Sequence, residues 1–261
     1  MFYTYCWYVF IYAFLGWCSE VIFAASNQGR FVNRGFLNGP LCPIYGFGVA
    51  AVIYLLAPLS EHLLVLYVGS VLLTSLLELV TGFLMEKLFH QKWWDYSDMP
   101  FNLGGYICLA FSLMWGIVCV LIVRVIHPLI AGFVSIIPTT LGIILLCVFS
   151  ATAIADLIVT LLDVAHFNRS LGQLDELAEK LDALSFTLGS GMSSSAIAVK
   201  EKSEILRTEL TEKYEQHKAD FNKRHQRLLT AFPNLKSRSH YSTLEQIKLE
   251  LQSRRNRRNR K

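Results

Sequence analysis

The chain has 261 residues, of which 53% are hydrophobic and only 17% charged, with 24 Lys/Arg against 20 Asp/Glu for a formal net charge of +4. That is too apolar for a soluble domain of this length, so a bilayer is the expected solvent for much of the chain. The charge is uneven: residues 1–168 hold five cations (Arg30, Arg34, Lys87, Lys92 and Arg124) and eight acids, leaving 19 of the 24 cations and 12 of the 20 acids to residues 169–261. The reading is an all-α polytopic membrane bundle over 1–168, followed by a charged helical tail over 169–261.

A membrane helix needs about 20 mostly apolar residues. Five stretches qualify: residues 3–25, 39–57, 62–85, 103–126 and 138–164. The first has no cationic region ahead of it and is too long for a cleaved signal, so it is expected to remain as a helix. Pro58, Ser60 and Glu61 predict a tight turn after the second stretch, and residues 127–138 read as a short re-entrant or interfacial piece. Cationic short loops are retained in the cytoplasm. With the amino terminus outside, Arg30, Arg34, Lys87, Lys92 and Arg169 all fall inside and only Arg124 falls outside. Five spans therefore fit better than four or six, and they place the chain in a bacterial inner membrane with its tail in the cytoplasm.

In the tail, Leu174, Leu177, Leu181, Leu184 and Leu188 are spaced 3, 4, 3 and 4, an a/d seam suited to packing or self-association as a coiled coil. GSGMSSS at residues 189–195 predicts a flexible break, and a second helix is expected over residues 196–231, ended by Phe232 and Pro233. Ser242 and Glu245 form a capping-box pattern for a third helix burying Leu244, Ile247 and Leu251. The terminal SRRNRRNRK suits contact with anionic membrane lipids, and its lack of aromatics argues against nucleic acid.

Two cytoplasmic loops are unusual in their residue choice. One runs from Asn33 and Arg34 through Asn38, Gly39 and Pro40 to Gly46. The other holds Trp93, Trp94, Asp95, Tyr96, Ser97 and Asp98, followed by Asn102, Gly104 and Gly105. Glycine and proline this dense predict a non-helical entry whose amides must be satisfied by protein or trapped water. The Trp and Tyr residues suit either a membrane-interface belt or contact with a substrate.

Acids inside the spans are the second signal. Glu20, Glu78 and Asp156 lie about five to eight residues from the cytoplasmic ends of their helices, a depth of roughly 7–12 Å. A lone carboxylate in hydrocarbon is costly, so these acids need protons, cations or basic partners. Asp156 and Asp163 share a face, and Glu86 sits where the third span meets its loop. Three readings stay open: neutralisation by Arg34, Lys87 or Lys92, a cation or proton pathway, or catalysis at the inner leaflet.

Six cysteines (Cys6, Cys18, Cys42, Cys108, Cys119 and Cys147) lie in apolar stretches without a C-x-x-C pair and read as packing residues. The chain has no G-x-x-x-x-G-K-[ST], no H-E-x-x-H and no G-x-S-x-G, and its histidines are scattered. No cofactor and no enzymatic activity are expected on that basis.

Four ordered motifs carry a resemblance: FLGWCSE at 14–20, FVNRGFLNGPLCPIYGFG at 31–48, LEL-TG with MEKLF over 77–89, and WWDYSDMPFNLGGYICL at 93–109. With them the chain resembles the bacterial, permease-like family described as putative ABC-transporter type IV, and RLLTAFPNLKS at 227–237 is similar to members with a carboxy-terminal helical extension. The resemblance implies a multi-pass subunit that works with a separate ATPase on a solute it does not identify. A membrane scaffold or regulator acting through its tail, or an inner-leaflet lipid-modifying enzyme, are the alternatives.

Overall fold

The computed structural model describes residues 1–189 and 197–259, and the chain is helical almost throughout. The helices are α1 (Phe2–Gln28), α2 (Pro43–Leu56), α3 (Leu63–Phe89), α4 (Leu109–Leu121), α5 (His127–Ile136), α6 (Thr139–Gly189), α7 (Ile197–Ala231) and α8 (Tyr241–Asn259). Contacts divide the chain into two compact units. One is Met1–Leu88 with Lys92–Leu162, and the other is Phe89–Gln91 with Asp163–Lys261.

In the membrane unit, four helices are long and apolar enough to cross a bilayer among the described residues: Phe2–Gln28, Leu63–Phe89, Leu109–Ile136 and Thr139–Ser185. On α6, Leu141, Ile144, Val148, Ile154, Ile158 and Leu162 are all exposed, an apolar surface that only hydrocarbon or another protein would cover. Where the second span is expected, a shorter apolar helix runs Pro43–Leu59 and ends in a 3-10 turn containing Pro58. Its 17 residues reach about 26 Å, short of a hydrocarbon core of about 30 Å.

Two expectations are corrected. Residues 127–138 are not a separate re-entrant piece: α4 runs through a π-helical turn, Ile122–Ile126, into α5. Pro128 has no N–H to donate, and a local change to wider hydrogen bonding lets a helix pass such a residue without breaking. The fourth span also starts later than residue 103, because Asn102–Leu103 pairs antiparallel with Ile107–Cys108 in a small hairpin before α4 begins. Its three-residue loop is Gly104-Gly105-Tyr106, in which the two glycines take φ of 61° and 72°, a left-handed conformation that glycine adopts without steric cost. Arg124 donates twice to the Ser60 carbonyl, at 3.1 and 2.8 Å.

Close contact between α1 and α2 depends on two glycines. A Cβ at Gly46 would run into the Val9 carbonyl oxygen, and one at Gly16 into the Tyr45 side chain. Around this contact Trp7, Tyr8, Tyr12, Val49 and Ile53 are buried with Val134 and Leu146.

The tail unit has its own core. Phe167, Leu171 and Leu174 of α6, Phe221 and Leu228 of α7, and Leu244 and Ile247 of α8 are all nearly or fully buried, and the Phe167 and Phe221 rings meet at 5.1 Å. Leu228, Ala231 and Leu235 of the RLLTAFPNLKS motif are buried, so that motif is core sequence. Leu174 is buried while Leu177, Leu181 and Leu184 are half-buried, and the Leu188 side chain lies outside the described residues, as does the 190–195 part of the expected break.

The expected cap of the last helix is also corrected, since α8 already begins at Tyr241 and Ser242 sits in its first turn. Instead the His240 N–H donates to Ser237 Oγ at 3.2 Å, and Asp175 accepts from His240 Nδ1 at 2.7 Å and from the Thr243 hydroxyl. Partial burial works against the Asp175 carboxylate, but the hydrogen bonds from Thr243 and His240 hold its pKa below the ordinary value. Burial, with His166 and Arg224 nearby, lowers His225 to about 4, so an uncharged imidazole packs against both Phe167 and Phe221.

Candidate functional site

The non-helical stretch ahead of α2 poses a backbone accounting problem, because its amides cannot be left unpaired in an apolar setting. The sequence supplies the partners. Asp156, on α6, accepts from the Asn38 N–H at 3.1 Å and the Gly39 N–H at 2.7 Å, one with each carboxylate oxygen. Asn38 Nδ2 donates to the hydroxyl of fully buried Thr160 at 3.0 Å, one turn along the same helix. Asn33 Oδ1 accepts from the Gly35 N–H and from Trp17 Nε1 at 2.8 Å, while its Nδ2 donates to the Asn38 carbonyl at 2.7 Å. The Cys42 N–H donates to the Ala13 carbonyl, and Val32, Leu37 and Cys42 are buried. Asp156, Asn33 and Asn38 thus form the frame of the entry segment.

A second cluster sits around Glu20. Its Oε1 accepts from the Tyr45 hydroxyl at 2.6 Å, and its Oε2 lies 3.4 Å from Arg34 Nε. The Arg34 guanidinium also stands 5.0 Å over the Phe23 ring, and the Tyr45 ring meets Trp115 edge-on at 5.6 Å. Glycine at position 16, one turn before Glu20, leaves room for Tyr45. Arg34 and Glu20 thus form an ion pair.

Glu78 differs. It is half-buried on α3, the Tyr96 hydroxyl hydrogen-bonds to it, and no Lys or Arg is within ion-pair distance of it among the described residues. Tyr96 is stacked on Phe111 at 4.9 Å, and its N–H donates to the Gly105 carbonyl at 2.8 Å. Burial first, then the charges of Glu78 and, more weakly, Glu20, raise the Tyr96 hydroxyl above its ordinary value. Glu20 and Glu78 thus each accept from a tyrosine, Tyr45 and Tyr96 respectively, and Tyr96 lies near enough to Glu20 to sense its charge.

The remaining predicted residues lie in the segment between α3 and α4 or at its edges. Asp95 pairs with Lys92 at 2.9 Å and accepts from the Ser97 N–H at 3.1 Å. Asn102 Nδ2 donates to the Ser97 and Met99 carbonyls, and its Oδ1 accepts from the Gly105 N–H. Trp94 Nε1 donates to the Tyr106 carbonyl at 2.9 Å, Glu86 accepts from the Tyr106 hydroxyl at 2.7 Å, and buried Trp93 meets Phe36 edge-on at 5.2 Å. Lys87 stands over the Phe83 ring. The structure therefore joins Glu20, Arg34, Glu78 and Tyr96, sets Asp156, Asn33 and Asn38 on the entry segment, and leaves Glu86 with the hairpin. Tyr45, Tyr106, Thr160 and Trp17 were missed as polar partners, because each sits in an apolar run where only a hydroxyl or indole N–H marks it.

Among the described residues no group of three or more His, Cys, Asp or Glu is placed to hold a metal ion. A family model described as putative ABC-transporter type IV matches residues 7–161, more than half of the chain and all of the elements that build this site. No curated protein and no solved structure matches the chain.

Proposed function

The chain belongs to that family, and on this premise we propose that it is the membrane-embedded, permease-like subunit of a transporter whose ATP hydrolysis is carried out by a separate protein. One observation carries the reading. Inside an apolar helix bundle, Glu78 keeps a carboxylate to which, among the described residues, a loop tyrosine donates and no cation pairs, beside a second carboxylate that pairs with Arg34. Intramembrane acids without a fixed counter-charge mark solute or ion pathways more often than packing sites. The non-helical entry segment supplies Arg34 to this cluster and the Trp93-to-Asp98 loop supplies Tyr96, which suits an entry and a closing loop. No phosphate-binding loop exists in the sequence to energise such a pathway from within.

Two experiments test this proposal. Chain purified alone is expected to hydrolyse no ATP above a mock preparation, and chain purified gently from its own membranes is expected to bring a nucleotide-hydrolysing subunit with it. Specific ATP turnover by the isolated chain would overturn the proposal. The orientation we propose has the amino terminus outside and the tail in the cytoplasm. Reporter fusions after Asn27, Leu59, Gln91, Ile137 and Gly172 are then expected to read in, out, in, out, in, and a cytoplasmic signal at Leu59 would remove the short second crossing.

A second reading has its own observation. The tail has a folded core of its own, which a simple charged extension would not need, and this favours a regulatory role for it.

A further inference from the structure

Two histidines meet in the core of the tail unit. On α6, Asp163, His166, Phe167 and Ser170 follow one another at intervals of three, one and three, which sets them on one face of the helix. On α7, Phe221, His225 and Leu228 do the same at intervals of four and three. The two faces are in contact. His166 Nδ1 lies 3.4 Å from His225 Nε2, and the His225 ring meets Phe167 at 5.1 Å and Phe221 at 5.0 Å. His225 is 3% exposed, whereas His166 is half-buried and has the Ser170 hydroxyl 3.1 Å from its Nδ1. The titratable and charged groups that face His225 are His166 and Asp163 from α6 and Arg224 beside it on α7.

Two facing imidazole nitrogens need one hydrogen between them. A first added proton can be held by half-buried His166, which then donates from Nδ1 to a neutral His225. A second has to go to His225, where it puts a hydrogen on both facing nitrogens and a second positive charge into an enclosed site beside Arg224, with Asp163 as the acid that partly offsets it. Release has a place built for it as well. His225 has φ of −102° and ψ of 15°, so α7 is interrupted at the residue that would take the proton, and the two parts of the helix can move against each other there.

We propose that the tail unit is a pH-responsive element: in acid, protonation of His225 breaks its bond to His166 and opens the contact between α6 and α7 at the interruption in α7. Proton concentration in the solution around the tail is then the signal that this core reads. The proposal concerns the tail core alone and does not depend on the transport reading.

The pH window follows from the environment of the ring. Burial first, then the charges of His166 and Arg224, bring His225 down to about 4, against 6.5 for an unperturbed histidine. Protons therefore favour the released form. The packed form keeps its full stability above pH 6.5 and is opposed about tenfold more for each pH unit from there down toward 4.

Hydrogen–deuterium exchange of the full chain in lipid nanodiscs tests the proposal, with exchange times scaled to the intrinsic amide rate at each pH. In the wild type, peptides spanning residues 163–175 and 221–231 are expected to keep their protection down to about pH 6.5 and to lose about thirtyfold by about pH 5. In His225→Gln, whose side chain hydrogen-bonds but does not titrate, the same peptides are expected to show constant protection over that range. His225→Phe, which retains a ring against Phe167 and Phe221, takes its place should the Gln variant fail to accumulate. Constant protection in the wild type from about pH 7.5 to 5 would overturn the proposal, and so would an equal loss in the wild type and the variant. A loss that begins only below about pH 5 would also overturn it, because carboxylates such as Asp175, held below its ordinary value, titrate there. Parallel loss in peptides of α3 would mark general acid unfolding and overturn it equally.

Discussion

Asp156→Ala is expected to be the most damaging single substitution in the membrane unit, costing about 2–4 kcal/mol and opening the entry segment. The Asn38 and Gly39 N–H groups would lose their acceptor at once, and an amide left unpaired in an apolar setting costs on the order of 1–3 kcal/mol. Thr160 cannot replace the carboxylate, because its hydroxyl already accepts from Asn38 Nδ2 and can turn toward only one of the two amides. Asp156→Asn keeps one acceptor oxygen and is expected to lose roughly half as much. Thermal unfolding of the purified chain reads the stability. Maleimide labelling of Cys42, which is 6% exposed at the end of the entry segment, reads the local opening. Wild-type melting and wild-type Cys42 labelling in Asp156→Ala would show that other contacts hold the segment.

The assignment of Asp156 shows what the sequence made legible. Its position inside an apolar run marked it as a residue with a job, and the Gly/Pro density of residues 33–46 announced backbone in need of partners. What could not be read was that one need met the other across 117 residues. Hydrophobic periodicity located the apolar helices, because that signal is local. It carried the fourth span back to residue 103 because the hairpin is apolar as well. There the Gly104-Gly105 pair, read from the sequence as part of a non-helical loop, is the turn signal that conflicts with a span starting at residue 103.

The tyrosines illustrate a second limit. In an apolar run a tyrosine reads as an interface ring, and nothing in the local pattern shows whether its hydroxyl reaches lipid headgroups or a carboxylate on another helix. Tyr45, Tyr96 and Tyr106 each reach an acid, and these three bonds define which acids belong together. The assignment of Phe89–Gln91 to the tail is likewise long-range, since the three residues gain their partners 77 positions and more down the chain.

Neutralising Glu20 and Glu78 separates packing from function, and the two acids are expected to respond differently. Glu20→Gln keeps an acceptor for Tyr45 but leaves the Arg34 charge facing only the Phe23 ring, so a loss of about 1–2 kcal/mol is expected for a pair that is partly exposed. Adding Arg34→Gln should recover most of that loss, because removing both partners leaves no unpaired charge. Glu78→Gln has no cation to strand and keeps an acceptor for the Tyr96 hydroxyl, so it should melt within about 0.5 kcal/mol of the parent. Function is read as complementation of a deletion strain, scored against the amount of protein in the membrane. If the cluster handles a solute, Glu78→Gln and the Glu20→Gln/Arg34→Gln double variant should both be stable and fail to complement. If Arg34 serves only to neutralise Glu20, the double variant should complement as well as the parent. Full complementation by Glu78→Gln would remove the carboxylate that carries the transport reading, and Glu78 would then be a polar anchor for the Tyr96 loop.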